Sequence, residues 1–156
     1  MKCAIGQDSH RFEKEYGKLC VLAGVTFPEV PGFAANSDGD VVLHAVTNAV
    51  SGLTGVNILG EKADEMCRAG ITDSRAYLKE ALRFLTDTPV HLSVSIEGLR
   101  PKITPRIPAM RENLAELLGL PLSGVGITAT TGEGLTAFGR GEGVSVFCIL
   151  TAEEKR

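Results

Sequence analysis

Two stretches of this chain carry apolar residues at helical spacing, residues 73–85 (DSRAYLKEALRFL) and 107–118 (IPAMRENLAELL). Between them lies 90–96 (VHLSVSI), in which apolar and polar side chains alternate without a break. Successive side chains of a strand point to opposite faces, so this alternation predicts a strand buried on one side only. Each flanking helix has a single apolar stripe that needs a surface to cover. One-sided strands and one-sided helices satisfy each other as a helix layer over a small sheet.

The remaining segments fit that plan. Residues 2–9 read as a short strand, and 19–27 (LCVLAGVTF) as a β-rich run stopped by Pro28, with a loop at Pro31-Gly32. Residues 40–54 read as a helix with an acidic start, ended by Gly55. From 57 to 71 the pattern weakens between Gly60 and Gly70; a mobile loop is expected there, with at most a helical turn at 63–69. Thr72 or Asp73 caps the 73–85 helix, Pro108 sits in the first turn of the next, and Gly119 ends it. Residues 125–131 and 143–151 close the chain as strands around a glycine-dense loop. A chain of 156 residues predicts one domain, 1–156, of the α/β (α+β) class.

Composition narrows the partners. Aromatics make up 5% and Trp is absent, which predicts an aliphatic core. A net charge of −3 leaves no electrostatic footprint for nucleic acid or a membrane, so any bound phosphate must be met locally. Cys3, Cys20, Cys67 and Cys148 form no C-x-x-C pair and are expected to be reduced thiols. With no apolar run of signal-peptide or membrane-spanning length, a soluble cytoplasmic protein is expected.

Asp8-Ser9-His10 closes the first strand. Residues i and i+2 share a strand face, so Asp8 and His10 address one point, either as two zinc ligands or as solvated surface polars. His44 lies in an apolar helical stretch, as a third ligand or as a core histidine satisfied by a carbonyl. The polar turn 36–40 just before it leads into a helix N-terminus, where oxyanions bind. His91, in the alternating strand, reads as structural or exposed. Thr130-Thr131-Gly132-Glu133-Gly134 offers hydroxyls and backbone N–H groups to phosphate, and Glu133 a carboxylate to magnesium; a plain turn is the simpler reading. Arg140 reads as a phosphate clamp or a surface residue, and Arg100-Pro101-Lys102-Ile103 as a nucleotide contact or a connector.

Taken in order, Gly6-Gln7-Asp8-Ser9-His10-Arg11-Phe12, the segment 37–45, Thr72-Asp73-Ser74, Arg100-Pro101-Lys102, the segment 107–111 and Gly139-Arg140-Gly141-Glu142-Gly143 resemble the 2-C-methyl-D-erythritol 2,4-cyclodiphosphate synthase family. The likeness runs over almost the whole chain. It implies a mixed four- to five-stranded sheet with helices on one face, and a homotrimer around a central cavity with active sites between subunits. It implies a zinc ion on Asp8, His10 and His44, and magnesium or manganese on Glu133. The substrate implied is a cytidine diphosphate ester of methylerythritol bearing a 2-phosphate. By the same likeness Thr130 and Thr131 contact the diphosphate, Thr131 stabilising the transition state, and Pro101, Lys102 and Ile103 bind cytidine. Asn57, Ile58, Leu59 and Asp64 occupy the loop that grips the methylerythritol. Ser9, Ser37, Gly98, Arg100, Thr104, Gly132 and Ala137 fall among the substrate contacts. Arg140 falls near the trimer axis, where an isoprenoid diphosphate can sit in the cavity.

The chain departs from the family pattern at named places. Asn36 replaces a histidine that positions phosphates, and can donate a hydrogen bond without carrying charge. Asn48 and Asn57 replace acidic residues, and Gly132 a third threonine. These changes motivate a second reading, a relative that binds nucleotide or isoprenoid diphosphate without efficient turnover. A third is a zinc hydrolase that activates water at Asp8, His10 and His44.

Overall fold

The computed structural model describes residues 1–155. Its main sheet has four strands: β1 (Lys2–Arg11), β4 (Thr88–Glu97), β5 (Val125–Thr130) and β6 (Gly143–Glu153). A short hairpin, β2 (Val21–Leu22) and β3 (Val25–Thr26), stands apart. The helices are α1 (Val41–Thr54), α2 (Glu61–Arg68), α3 (Ser74–Leu82) and α4 (Ile107–Leu118). Sheet order is β1-β6-β4-β5, with β4 and β5 parallel and the other pairs antiparallel.

Alternation decides which side is covered. Gly6, Asp8 and His10 share the inner face of β1; Val144, Val146, Cys148 and Leu150 of β6 and Leu92, Val94 and Ile96 of β4 continue it. Helix α1 packs on this face against β1 and β6, with α3 beside it. The opposite face is bare: Ile5, Phe147 and Ile149 are 65%, 49% and 49% exposed, with Ile5 opposite Ile149 across β1 and β6. The mixed sheet with helices on one face is therefore as expected.

Three local expectations need correction or refinement. The β-rich run 19–27 is a hairpin rather than a single strand. Ala23 and Gly24 both take positive φ (52° and 74°), the combination that a tight hairpin turn requires, so the chain folds back on itself there. Residues 57–71 are not a loop throughout, because 61–68 is helical and Gly60 and Gly70, both at positive φ, bound it. The core is also less aliphatic than composition suggested: Phe12, Phe27, Phe33 and Tyr77 are buried in it. By contrast α4 runs from Ile107 to Leu118, closed by Gly119 in the left-handed conformation.

Candidate metal centre

Residue by residue, β1 and α1 build the centre. Gly6 lets them approach: a Cβ there would overlap the carbonyl oxygen of Ala45 and come within 2.7 Å of the Ala49 nitrogen. One strand pair further on, Asp8 and His10 emerge beneath α1 and meet His44, which is 7% exposed. Asp8 Oδ2, His10 Nε2 and His44 Nδ1 form a triangle with all three sides 3.0 Å. Ligand atoms around a tetrahedral zinc at about 2.0–2.1 Å stand roughly 3.3 Å apart, so this triangle accepts such an ion with a small expansion and leaves one side open. A carboxylate with two imidazoles is a donor set suited to zinc and its neighbours among the divalent transition metals. Burial raises the Asp8 carboxyl, but the two imidazoles beside it outweigh that and hold the group well below the usual carboxylate range. The ligand most in need of a negative charge therefore keeps it.

The other nitrogen of His44 is also engaged. Nε2 lies 2.8 Å from Ser74 Oγ and 3.4 Å from Ser37 Oγ. Ser74 Oγ in turn donates to Asp38 Oδ1, and the Ser74 N–H donates to Asp38 Oδ2 at 3.0 Å. The N-terminus of α1, reached through the polar turn 36–40, is not free for an oxyanion. Asp40 is fully buried and caps α1 itself, accepting from the N–H of Leu43, Ala23 and Gly24. A carboxylate already occupies the helix N-terminus.

The centre opens into a cleft bordered by Asn36, Ser37, Leu59, Asp64, Cys67 and Tyr77. Ile58 is core rather than cleft, 2% exposed, and Asn57 is exposed outside it. Asn48, one turn past His44, spends its amide on the Gln7 carbonyl at 3.1 Å.

Of the expected phosphate and cytidine residues, Asn36 borders that cleft, whereas Thr130, Thr131, Pro101, Lys102 and Ile103 do not. Thr130 lies in one cross-strand row with Glu97, Ser145 and Ser9. Three interstrand spacings put it about 14 Å from β1, at the far edge of the sheet. The hydroxyls of Thr130 and Thr131 accept from the N–H of Gly132 and Glu133, at 3.5 and 3.3 Å. Glu133 is exposed with φ 50°. A Cβ at Gly132 would collide with Glu97 Oε1 and Gly139, which explains the departure from threonine. Gly98 N–H donates to the Thr130 carbonyl. Pro101 and Ile103 are buried while Lys102 and Thr104 are exposed. Arg100 is committed elsewhere: its Nε donates to the Gly141 carbonyl and its guanidinium lies over the Phe12 ring. Arg140 pairs with Glu142 at 3.2 Å. Ala137 and Ser9 border a second depression beside the end of β1.

Sequence reasoning brought Asp8, His10 and His44 together but passed over Asp38 and Ser74. Both lie in segments that carry the family resemblance, but nothing there assigned either one a place beside the metal centre.

A helix-covered mixed sheet thus carries, at the end of β1, a three-donor cluster suited to a divalent metal ion. Residues 1–153 match the YgbB family, and the chain belongs to it. It is 54% identical over 157 aligned positions to the 2-C-methyl-D-erythritol 2,4-cyclodiphosphate synthase of Chlamydia caviae, covering 98% of this chain and 89% of that one. The corresponding synthase of Chlamydia muridarum is 55% identical, with 98% and 88% covered. Among solved structures, a 2C-methyl-D-erythritol-2,4-cyclodiphosphate synthase in its CDP-bound form superposes with TM-score 0.84 at 30% identity, covering 97% of this chain and 100% of that one. The bifunctional IspDF of Campylobacter jejuni superposes with TM-score 0.86 at 28% identity, and there this chain spans 42% of the longer protein.

Proposed function

We propose that this chain converts 4-diphosphocytidyl-2-C-methyl-D-erythritol 2-phosphate to 2-C-methyl-D-erythritol 2,4-cyclodiphosphate and CMP, as a metal-dependent phosphorus–oxygen lyase of the non-mevalonate isoprenoid pathway. The observation that carries the reading is the open triangle of Asp8, His10 and His44 in a chain more than half identical to curated synthases. An oxygen of the 2-phosphate forms a bond to the β-phosphorus. The bond from that phosphorus to the oxygen bridging it to the α-phosphate breaks, and CMP leaves with the electron pair. No water is consumed.

Asp8, His10 and His44 would hold zinc, which would polarise a phosphate as a Lewis acid, and Glu133 would hold magnesium or manganese, which would offset charge on the leaving side. The chain's own residues do the positioning. Asn36 donates to the phosphate at the mouth of the cleft, and Thr130 and Thr131 donate to the diphosphate. The Leu59 backbone and the Asp64 carboxylate hold the methylerythritol hydroxyls. Residues 101–104 hold the cytidine. Because attacking and attacked groups share one molecule, holding the folded substrate is a large part of the rate enhancement.

The assembly that completes the site is a homotrimer. Two observations support it: the Asp8, His10 and His44 triangle and Thr130 stand at opposite edges of one sheet, and the bare face carries Ile5, Phe147 and Ile149. Exposed apolar clusters of this kind mark protein contacts. A ring of copies buries that face around a central cavity and brings the β5 edge of one protomer to the metal centre of the next. An isoprenoid diphosphate in the cavity would have to displace Glu142 from Arg140.

The test is incubation of the zinc- and magnesium-loaded protein with the substrate in ¹⁸O-water. CMP should appear in step with the cyclic diphosphate, neither carrying solvent oxygen. Nucleotide binding without CMP release would favour the binding-only relative, and ¹⁸O in the products the hydrolase.

A further inference from the structure

We propose that Ser74 and Asp38 are positioning residues for the metal centre: their hydrogen bonds hold the proton of His44 on Nε2 and aim the Nδ1 lone pair at the ion. The inference rests on the metal-centre reading above.

Hydrogen-bond direction carries the argument. A hydroxyl has one proton to give, and a carboxylate can only accept. Asp38 Oδ1 accepts from Ser74 Oγ and from the Asp40 N–H at 3.0 Å, and Oδ2 accepts from the Ser74 N–H. The Ser74 proton is thus committed to Asp38. Toward His44, 2.8 Å away, Ser74 Oγ has only lone pairs to offer, so His44 Nε2 must be the donor. Ser37 Oγ, at 3.4 Å and itself accepting from the Gly39 N–H, is too distant to compete. The proton on Nε2 leaves Nδ1 as the free lone pair, and Nδ1 is the atom that faces Asp8 and His10.

The fold makes the relay stiff. Ser74 is fully buried and opens α3, where N–H groups lack helical partners. Asp73 caps the helix through the Arg75 N–H, which frees the Ser74 N–H for Asp38. The Asp38 N–H is fixed in turn by the Thr72 carbonyl at 2.9 Å. Partners of this type behind a ligating histidine orient the ring and raise its basicity, and their loss typically costs about 10- to 100-fold in metal affinity.

The plainer role for the same bonds is docking α3 onto the turn before α1. Zinc affinity separates the two, measured by competition with a chelating chromophore, with unfolding of each metal-free protein followed in parallel. Ser74→Ala and Asp38→Asn should each bind zinc about 10- to 100-fold more weakly than wild type. Ser51→Ala, which removes another buried hydroxyl from α1, should stay within about twofold. In zinc-loaded protein labelled with ¹⁵N-histidine, the His44 Nε2–H proton should exchange slowly, and rapidly once Ser74 is alanine. Affinities within about twofold of wild type for both variants would overturn the relay while leaving the metal centre intact. A wild type that takes up no zinc overturns both. If Ser74→Ala does not fold, the wild-type proton decides: fast exchange contradicts the proposal.

Discussion

Gly6 of β1 lies directly beneath the carbonyl oxygen of Ala45 on α1, one residue past His44, with no room for a Cβ between them. That contact sets the distance from strand to helix, and so the closure of a triangle whose corners are up to 36 residues apart in sequence. A methyl group at this position must push α1 off the sheet or strain the strand. Gly6→Ala should cost about 1–3 kcal/mol in denaturant unfolding, the range for overpacking a filled core. Zinc affinity should fall with it. Unchanged affinity in a destabilised variant would show that the triangle does not depend on this approach.

Asp40 gives a pH-dependent prediction. Burial pushes its carboxyl up to about 6 against the pull of three backbone donors. A folded value above the unfolded one means that the group's contribution to stability is full below about 4 and is lost as pH rises through about 6. Asp40→Asn removes the titration but presents an N–H₂ to one of the donors. The variant should therefore be less stable, and its deficit should grow by on the order of 2–3 kcal/mol as pH falls from 7 to 4. Metal-free unfolding curves of both proteins would check it; a deficit that shrinks toward low pH would contradict it.

Ser51, on the buried side of α1, has a hydroxyl with no hydrogen-bond partner among the described residues. Alanine there removes the uncompensated polar atom and is the better helix former. Ser51→Ala should stabilise the protein by about 0.5–2 kcal/mol, read as a higher denaturation midpoint. Destabilisation would mean that the hydroxyl finds a partner in the assembled protein.

An active site shared between subunits, as proposed above, predicts complementation. His44→Ala should lack zinc and Glu133→Gln should lose its magnesium response, each with little activity. Unfolded together and refolded as mixed trimers, they should regain about a quarter of wild-type activity, since a site needs one intact half from each neighbour. No recovery, with mixed trimers verified by mass, would place both halves within one protomer.

What the sequence disclosed follows from how local each feature is. Helix α4 was legible to the residue because Pro108 and Gly119 mark its ends chemically. Asp8 and His10 were legible because a strand fixes which residues share a face. The hairpin at Ala23–Gly24 was hidden in a β-rich run because alanine gives no sign of positive φ. Helix α2 was legible only as a turn at 63–69, since Ala63 alone of it is buried, too little apolar pattern to mark its length. The relay through Ser74 and Asp38 was invisible, because it depends on direction and distance between segments that only the folded chain brings together.

The central claim is that Asp8, His10 and His44 share one ion. Metal analysis of the purified protein after zinc loading and desalting addresses it most directly, with His44→Ala alongside. Wild type should hold one zinc per chain, and the folded variant almost none. Equal zinc in both proteins would contradict the shared centre.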